Sequence, residues 1–420
     1  MSLSDEAIAK ILLRNKDMAV HLFDYPPGVA LEQNRGAVAS HSVGPLAAPA
    51  LLYAHVPFCH AICKFCNVYK ERHPGPKRLA AYLDALLAEA REVSRQVQGT
   101  RFAAAYVGGG TPTALTEGQL DVLLGELRRL FKLGDGMPFE IDATPASLTP
   151  AKVAVLLRRG VSHLSMGIQS LEAGVLCAIG RQSHNGSLPR LSRILAGTGL
   201  KVHFDFIVGL PGETLASVRG AIDRVVCDFA PASLSVNAYD HTGDTGFAQD
   251  GVGLDFPGPI VRRRMRRAVK ALQTYIRVRH DLRRGPTHYF PRVRDGAGVV
   301  GIGAGAYGYL PHVIAYRNLP YGDYLRSGFR VKKIHRMTPD EERRRFIIHK
   351  ISDPNLFAGY RMRFGTRLEK DFPGPHVELM GRGHVHRPGR PERFVFPDRE
   401  DERAAAVRFY SAAVLACYER

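Results

Sequence analysis

Three cysteines within eight residues are the feature of this chain that most directly indicates chemistry. They are Cys59, Cys63 and Cys66, in the segment Tyr53-Ala-His-Val-Pro-Phe-Cys-His-Ala-Ile-Cys-Lys-Phe-Cys. Three thiolates can bind three irons of a four-iron cluster and leave the fourth iron without a protein ligand, whereas clusters that only carry electrons generally use four cysteines. The spacing therefore favours a [4Fe–4S] cluster whose open iron binds another molecule.

Other interpretations of these cysteines remain open at this point. A structural zinc ion normally takes four Cys or His ligands, and His55 or His60 is close enough in sequence to supply the fourth. Cys-x3-Cys-x2-Cys is not, however, the paired Cys-x2-Cys spacing of zinc ribbons. Packing or redox thiols are a further alternative, while a disulfide is disfavoured because the number of cysteines in the motif is odd.

Composition limits the class of protein. The chain has 420 residues, enough for one large and one smaller domain, and a hydrophobic content of 45% that is ordinary for a globular protein. The first residues show no signal-peptide pattern, and no apolar run is long enough to span a membrane. The remaining cysteines, Cys177, Cys227 and Cys417, are isolated, so we expect a reducing, cytoplasmic location and no membrane partner.

The net charge of +18 raises the question of an acidic partner. Nucleic acid is unlikely on this pattern, because the arginine clusters at 262–267 and 343–345 do not alternate with stacking aromatic residues. A solvated helix face is one explanation of the charge. A peptide with an acidic leader, or a small-molecule substrate with several carboxylates, is the other.

Hydrophobic periodicity predicts six strand–helix units in succession. The predicted strands are residues 51–56, 102–107, 139–143, 161–168, 201–208 and 233–238. This order is typical of an α/β fold with a parallel sheet, and we predict a partial (β/α)6 TIM-type barrel over residues 51–330. Residues 1–50 are predicted as an N-terminal helical or irregular extension, and residues 331–420 as a small C-terminal α+β domain.

Polar residues and glycines follow the predicted strands at the edge where such barrels place their chemistry. The turn Gly108-Gly-Gly-Thr-Pro-Thr113 follows the second strand, beside the cysteine loop, and can expose N–H donors to a ligand. Glu140, Gln169 and Asp205 each lie within or at the end of an otherwise apolar strand, and together they predict a lined pocket. Arg181 lies farther along and can pair with a ligand carboxylate.

These motifs together resemble the radical S-adenosylmethionine (SAM) superfamily, and within it the oxygen-independent coproporphyrinogen III oxidase family. The resemblance rests on four motifs in family order over residues 51–310. They are Tyr53-x-His-x-Pro-Phe-Cys-x3-Cys-x2-Cys66, Gly108-Gly-Gly-Thr-Pro-Thr113, Gly167-Ile-Gln-Ser170 and Asp205-x3-Gly-Leu-Pro-Gly-Glu-Thr214. The C-terminal region resembles the family more loosely.

The resemblance implies that Cys59, Cys63 and Cys66 bind a [4Fe–4S] cluster whose open iron chelates SAM, and that an electron donor such as flavodoxin or ferredoxin supports SAM cleavage. It implies that two SAM molecules bind together. The residues implied to contact SAM are Tyr53, Phe65, Gly109, Gly110, Thr111, Glu140, Gln169, Arg181 and Asp205.

Within the family, the segment His288-Tyr-Phe-Pro-Arg292 stands where the decarboxylases carry a Gly-Phe-Gln-Gly-Tyr-type sequence. We therefore predict a class C radical SAM methyltransferase that methylates an sp2 carbon, such as a thiazole ring of a thiopeptide precursor. Tyr239, His203 and His241 are the candidate general bases. The alternatives are a porphyrin- or haem-processing enzyme and a non-enzymatic haem chaperone.

Overall fold

The computed structural model describes residues 4, 7–8, 25–27, 30–35, 45–46, 48–181, 187–239, 245–250, 259–280, 282, 289–382, 394, 396, 399–412 and 414–415. Its strands, numbered in chain order, are β1 (Glu32–Arg35), β2 (Ala50–Val56), β3 (Phe58–Cys59), β4 (Glu71–Arg72), β5 (Phe102–Gly109), β6 (Phe139–Ala143), β7 (His163–Gln169), β8 (Lys201–Val208), β9 (Ser233–Ala238), β10 (Val299–Ile302), β11 (Tyr307–Leu310), β12 (Ile314–Asn318) and β13 (Val331–Arg336).

The helices are α1 (Pro76–Gln96), α2 (Glu117–Leu130), α3 (Pro150–Arg158), α4 (Ala173–Ala178), α5 (Leu188–Leu195), α6 (Leu215–Phe229), α7 (Gly246–Gln249), α8 (Pro259–His280), α9 (Tyr289–Arg294), α10 (Tyr321–Ser327), α11 (Pro339–Lys350), α12 (Leu356–Phe364), α13 (Leu368–Asp371), α14 (Pro373–Gly381) and α15 (Arg399–Val407). None of the helices in this part of the chain is long and apolar enough to cross a membrane.

A single mixed sheet organises the described residues. Its strand order is β1-β13-β12-β11-β10-β2-β5-β6-β7-β8-β9. The strands from β10 to β9 in this order are parallel, and β11, β12, β13 and β1 continue the sheet in antiparallel pairs. The carboxyl ends of β2 and β5 to β9 therefore meet at one edge, where the predicted site residues lie.

The helices begin where the sequence provides caps. Thr116 and Gln119 form a capping box at the start of α2, and Thr214 and Ser217 form another at the start of α6. Along α1, the buried positions recur at the helical period, and their side chains pack on the outer face of the sheet. This outer face holds the main hydrophobic core.

The predicted fold class is confirmed, and each of the six predicted strands is present. The sheet extends further than predicted, because β10 to β13 and β1 add to the edge beside β2. The strand that follows the predicted boundary at residue 330 belongs to this main sheet, and β1 of the N-terminal segment pairs with it. The helices from α11 onward form a second core around Ile347, Tyr360 and Phe409, which Ile8 and Tyr25 join.

A buried carboxylate joins the added strands to the barrel. Glu89 on α1 is fully buried and accepts hydrogen bonds from Lys332, from the Asn318 amide at 2.9 Å, from the Tyr324 hydroxyl at 2.8 Å and from the Gly303 N–H at 2.7 Å. A buried ion pair of this kind contributes little relative to apolar residues, but removal of one partner leaves an unpaired buried charge. The attachment of β10 to β13 therefore depends on both partners.

Replacement of Lys332 by Met is expected to lower the free energy of unfolding by about 3–5 kcal/mol, because the Glu89 carboxylate stays buried without its cation. The measurement is the denaturation midpoint in urea. Lys333→Met is the matched control, since Lys333 is the next residue on β13 and is exposed on the opposite face, where we expect a change within about 0.5 kcal/mol. Equal effects of the two variants would contradict this role.

Candidate functional site

The three cysteines lie on one loop that starts at the carboxyl end of β2. Cys59 ends the short strand β3, which pairs with β4, and the His73 N–H donates to the Cys59 carbonyl at 2.9 Å. The middle of the loop is fixed by Lys64, whose N–H donates to the Ile179 carbonyl at 3.0 Å and whose carbonyl accepts from the Phe247 N–H at 3.1 Å. The loop is therefore held from both sides by α4 and α7.

The cysteine side chains are half-buried and have different neighbours. The Cys59 sulfur lies 3.5 Å from the Thr111 hydroxyl, and the Cys63 sulfur accepts a hydrogen bond from Arg181 Nε at 3.2 Å. Burial raises the pKa of the Cys59 thiol to about 11 and raises that of Cys66. The proximity of the other thiols raises both pKa values further, so the three sulfurs lie close enough to interact electrostatically.

The spacing of these thiols bears on what they can bind. Within the described ranges, no three Cys, His, Asp or Glu side chains converge on a position for a single metal ion. One tetrahedral zinc ion requires such convergence, whereas in an iron–sulfur cluster each thiolate binds a different iron. The donor set therefore fits a cluster better than the zinc site that the sequence left open.

The glycine turn after β5 holds the cysteine loop. The Gly110 N–H donates to the Val56 carbonyl and the Thr111 N–H to the Phe58 carbonyl, both at 2.9 Å. A Cβ on Gly110 would lie 2.5 Å from the Pro57 oxygen, and a Cβ on Gly109 would lie 2.7 Å from the His55 ring. The glycines thus permit contact between two parts of the protein itself.

This arrangement differs from the prediction that the turn exposes N–H donors to a ligand. The amides of Gly110 and Thr111 are used as above, and the Gly109 amide lies near enough to the Asp142 carboxylate to oppose the rise of its pKa. The groups of the turn that remain available to a ligand are carbonyl oxygens, which accept hydrogen bonds, and the Thr111 hydroxyl. The contacts predicted between Gly109, Gly110, Thr111 and SAM stay predictions on that basis.

Tyr53 and His55 form a hydrogen-bonded pair on β2. The His55 Nε2 lies 3.1 Å from the Tyr69 carbonyl, which can only accept, so Nε2 carries the proton. Nδ1 then accepts from the Tyr53 hydroxyl at 2.7 Å. Burial lowers the pKa of His55 to about 4, which agrees with a neutral imidazole, and burial raises the pKa of Tyr53.

Carboxylates gather on the inner face of the sheet. Burial, followed by the charges of Asp142 and Asp205, raises the pKa of Glu140 to about 8. Burial likewise raises the pKa of Asp142 to about 7, although hydrogen bonds from Tyr106 and Ser165 oppose this shift. Glu140 and Asp205 were predicted from the sequence, whereas Asp142 was missed. Its position two residues after Glu140 on the same strand would have placed it on the same face.

Gln169 and Arg181 connect the end of β7 to the cysteine loop. Gln169 has a left-handed backbone with φ of 69°, an uncommon conformation for a residue other than glycine. Arg181 donates to the Gly167 carbonyl at 2.7 Å as well as to Cys63, and its guanidinium lies over the Phe65 ring at 5.9 Å. The structure therefore brings these predicted residues together around the cysteine loop.

The candidate bases lie in less suitable positions. His203 is buried, with Nε2 3.3 Å from an Asp205 oxygen and Nδ1 2.7 Å from the Ser233 hydroxyl, so both ring nitrogens already have partners. Tyr239 is buried in an apolar cluster that includes Phe65 and Phe247. His241 lies outside the described residues.

Comparison with known proteins shows which family model and which proteins this chain is similar to. The family model described as Radical SAM superfamily matches residues 53–225. Residues 53–225 are therefore similar to this superfamily. An oxygen-independent coproporphyrinogen III oxidase from Bradyrhizobium diazoefficiens is 28% identical to it over 335 residues, which cover 73% of this chain and 74% of that protein. The heme chaperone HemW of Bacillus subtilis is 24% identical over 364 residues, or 80% and 92% of the two chains.

The heme chaperone HemW of Lactococcus lactis is also similar, with 27% identity over 77% of this chain and 84% of that protein. Among solved structures, coproporphyrinogen III oxidase (HemN) from Escherichia coli, described as a radical SAM enzyme, superposes with a TM-score of 0.70 at 22% identity. The superposition covers 89% of this chain and 92% of that chain. The fold is therefore shared along almost the whole length.

These relatives contradict the prediction of a class C methyltransferase acting on a natural product, which was wrong. It depended on the segment 288–292, and the structure shows what its described residues do. Tyr289 and Phe290 start α9 and pack against the Tyr106 ring at 5.1 and 5.7 Å. The segment builds the inner aromatic surface and does not identify a methylase. The base roles of Tyr239, His203 and His241 are withdrawn with that reaction.

The residues present fit the cofactors that similarity to the superfamily implies, a [4Fe–4S] cluster and SAM. The half-buried thiols provide soft ligands for iron. Among the described residues, Glu140 Oε2 and Gln169 Oε1 are buried without a hydrogen-bond partner, and such groups are rare unless a ligand or water completes them. Acceptors of this kind suit the ammonium and hydroxyl groups of SAM.

Replacement of Gly110 by Ala is expected to reduce the iron and sulfide bound after anaerobic reconstitution to less than about half of the wild-type value, because the new Cβ meets backbone that cannot move without shifting the loop. Gly118→Ala is the matched control, since nothing lies within 4 Å of a Cβ at that position. Full iron content in Gly110→Ala would show that the turn does not position the cysteines.

Glu140→Gln is expected to stabilise the cofactor-free protein at pH 8 but not at pH 4.5. The pKa of Glu140 is raised in the folded state, so its proton binding favours folding at low pH, and this contribution is lost as pH rises from about 4.5 to about 8. We expect a gain of at least about 1 kcal/mol at pH 8, measured by urea denaturation. The exposed Glu92→Gln should show no such gain, and a gain independent of pH would contradict the assignment.

Proposed function

We propose that this protein binds a tetrapyrrole with carboxylate side chains, a porphyrinogen or haem, and carries out radical SAM chemistry on it. The observation that carries the proposal is the identity of the relatives. Coproporphyrinogen oxidases and heme chaperones both align over about three quarters of the chain or more. Since both kinds of relative are named for a tetrapyrrole, that ligand class is common to them.

An aromatic surface beside the cysteine loop supports this ligand class. Tyr53 and Tyr106 stack at 5.7 Å with an interplanar angle of 20°, and Tyr289 lies 5.1 Å from Tyr106. The surface belongs to the inner face of the sheet, near Tyr53, which contacts His55 on the strand that leads to the cysteines. Flat apolar rings of this extent suit the body of a tetrapyrrole.

In this proposal Cys59, Cys63 and Cys66 hold the cluster. The chemistry supplied when SAM is bound to such a cluster is one-electron cleavage of a carbon–sulfur bond. The residues proposed to hold SAM are Tyr53, Phe65, Gly109, Gly110, Thr111, Glu140, Gln169, Arg181 and Asp205. A second SAM is not needed once methylation is withdrawn. The required electron donor is proposed to be an acidic flavodoxin or ferredoxin, which suits the chain's charge of +18.

Haem transport without turnover is the second candidate function. The observation in its favour is coverage, because the heme chaperone of Bacillus subtilis aligns over 92% of its own length. Such a protein would bind haem in the same place and would not consume SAM. The two functions share a ligand class and differ in whether the ligand triggers SAM cleavage.

Anaerobic reconstitution followed by incubation with SAM and dithionite tests both candidates. With coproporphyrinogen III or haem present, an enzyme should release methionine and 5′-deoxyadenosine at least about tenfold faster than without the tetrapyrrole, because the substrate completes the reacting geometry. Cys63→Ala should abolish the release. Stoichiometric haem binding without accelerated cleavage would support the chaperone instead. If neither tetrapyrrole binds or accelerates cleavage, the proposed function is wrong.

A further inference from the structure

We propose that Arg345 and Arg317 form a carboxylate-binding site, where the helical domain meets the inner face of the sheet, that takes a propionate-type carboxylate of the tetrapyrrole. The inference rests on the proposed function and names how its ligand is recognised. It concerns residues outside the matched segment 53–225. At the centre of the site is a buried cation, Arg345, whose hydrogen-bonding capacity is only partly used.

Arg345 lies on α11 and is 2% exposed. Its guanidinium carbon sits 3.7 Å from the centre of the Tyr309 ring, and the Tyr307 hydroxyl lies near enough to contribute to its raised pKa. Its Nε and Nη2 are buried and, within the described residues, have no hydrogen-bond partner. A guanidinium presents a planar fork of donors that matches a carboxylate, so unused donors on one edge indicate where an anion would bind.

The nearest acidic side chain does not fill this role. Glu342 lies on the same helix, and its charge reduces the cost of burying Arg345. Both of its oxygens are engaged elsewhere, however, because one accepts from the Tyr309 hydroxyl and the other accepts from the His312 N–H at 2.8 Å. Electrostatic compensation by Glu342 therefore leaves the two donors of Arg345 unsatisfied.

Arg317 extends the positive charge toward the cysteine side of the inner face. It is the register partner of Tyr307 across β11 and β12, so the two side chains project on the same face. The neighbouring strand β10 pairs Gly301 with Tyr53 on β2, so the inner face runs without interruption from Arg317 to the strand leading to the cysteine loop. Arg317 and Arg345 therefore both lie close to the Tyr307–Tyr309 strand.

Charge is thus segregated across the inner face. Glu140, Asp142 and Asp205 lie on β6 and β8, whereas the arginines lie at the other side, beyond β2. The acidic side suits the cationic SAM, because a bound cation favours the ionised form of these carboxyl groups. A tetrapyrrole lying on the aromatic surface between them would direct its carboxylates toward Arg317 and Arg345.

Binding of haem and of haem dimethyl ester to the full-length protein tests the site, because the ester keeps the ring and iron but removes both carboxylate charges. We expect the wild-type protein to bind haem at least about tenfold more tightly than the ester, as a charge-assisted bidentate pair predicts. Arg345→Met and Arg317→Gln should each weaken haem binding and leave ester binding nearly unchanged. Arg343→Met is the matched control, since Arg343 faces Asp371 at 3.5 Å within the helical domain.

The possible outcomes distinguish failure of the carboxylate site from failure of the proposed function. Equal affinity of the wild-type protein for haem and the ester, or a preserved preference in both variants, overturns the carboxylate site while tetrapyrrole binding stands. If haem does not bind, the same comparison is made with coproporphyrinogen III and its tetramethyl ester, and absence of binding to both tetrapyrroles overturns the proposed function as well. SAM affinity is measured in parallel, because SAM also carries a carboxylate, and weakened SAM binding with unchanged haem binding would overturn the assignment. Arg345→Lys, which keeps the charge, serves if Arg345→Met does not fold.

Discussion

The hydrogen bonds between the glycine turn after β5 and the cysteine loop after β2 are the constraint on which the site depends. They form only because Gly109 and Gly110 have no side chain where the two segments touch. The register of the strands brings Val56 beside Gly109, and Thr111 then reaches the Cys59 sulfur. Strand pairing therefore positions the glycine turn, and the glycine turn positions the Cys59 thiol. Asp142 lies close to the Gly109 amide and belongs to the same arrangement.

The two faces of the sheet have different roles. The outer face is apolar and packs beneath the helices, so it supplies most of the burial that stabilises the fold. The inner face carries carboxylates, hydroxyls, imidazoles and guanidinium groups, some of them buried at a cost to stability. Glu140, with a raised pKa and an unpartnered oxygen, is the clearest case. The stability contributed by the apolar outer face compensates for the cost of burying polar groups on the inner face.

The sequence predicts those elements whose structure depends on residues close together in the chain. The six predicted strands each carry apolar residues along the face that packs beneath the helices, and this pattern is visible in the sequence. β13, with its Lys332-Lys333 pair, lacks that pattern, and its place depends on Glu89, which is distant in sequence. Asp142 was missed although its strand was predicted. The segment 288–292 misled the functional prediction because Tyr289 acts through packing against Tyr106, a contact that a motif does not record.

Residues outside the cysteine loop are the best candidates for determining which ligand this protein selects. The superfamily model ends at residue 225, whereas the relatives named for tetrapyrroles align with up to 80% of the chain. Similarity to those relatives therefore extends beyond residue 225, where β9 to β13 and the helical domain lie. Tyr289, Arg317 and Arg345 all lie there, and β13 leads directly into α11, which carries Arg345. A sheet extended by these strands brings the helical domain to the inner face, so the proposed substrate recognition and the attachment of that domain share one structural basis.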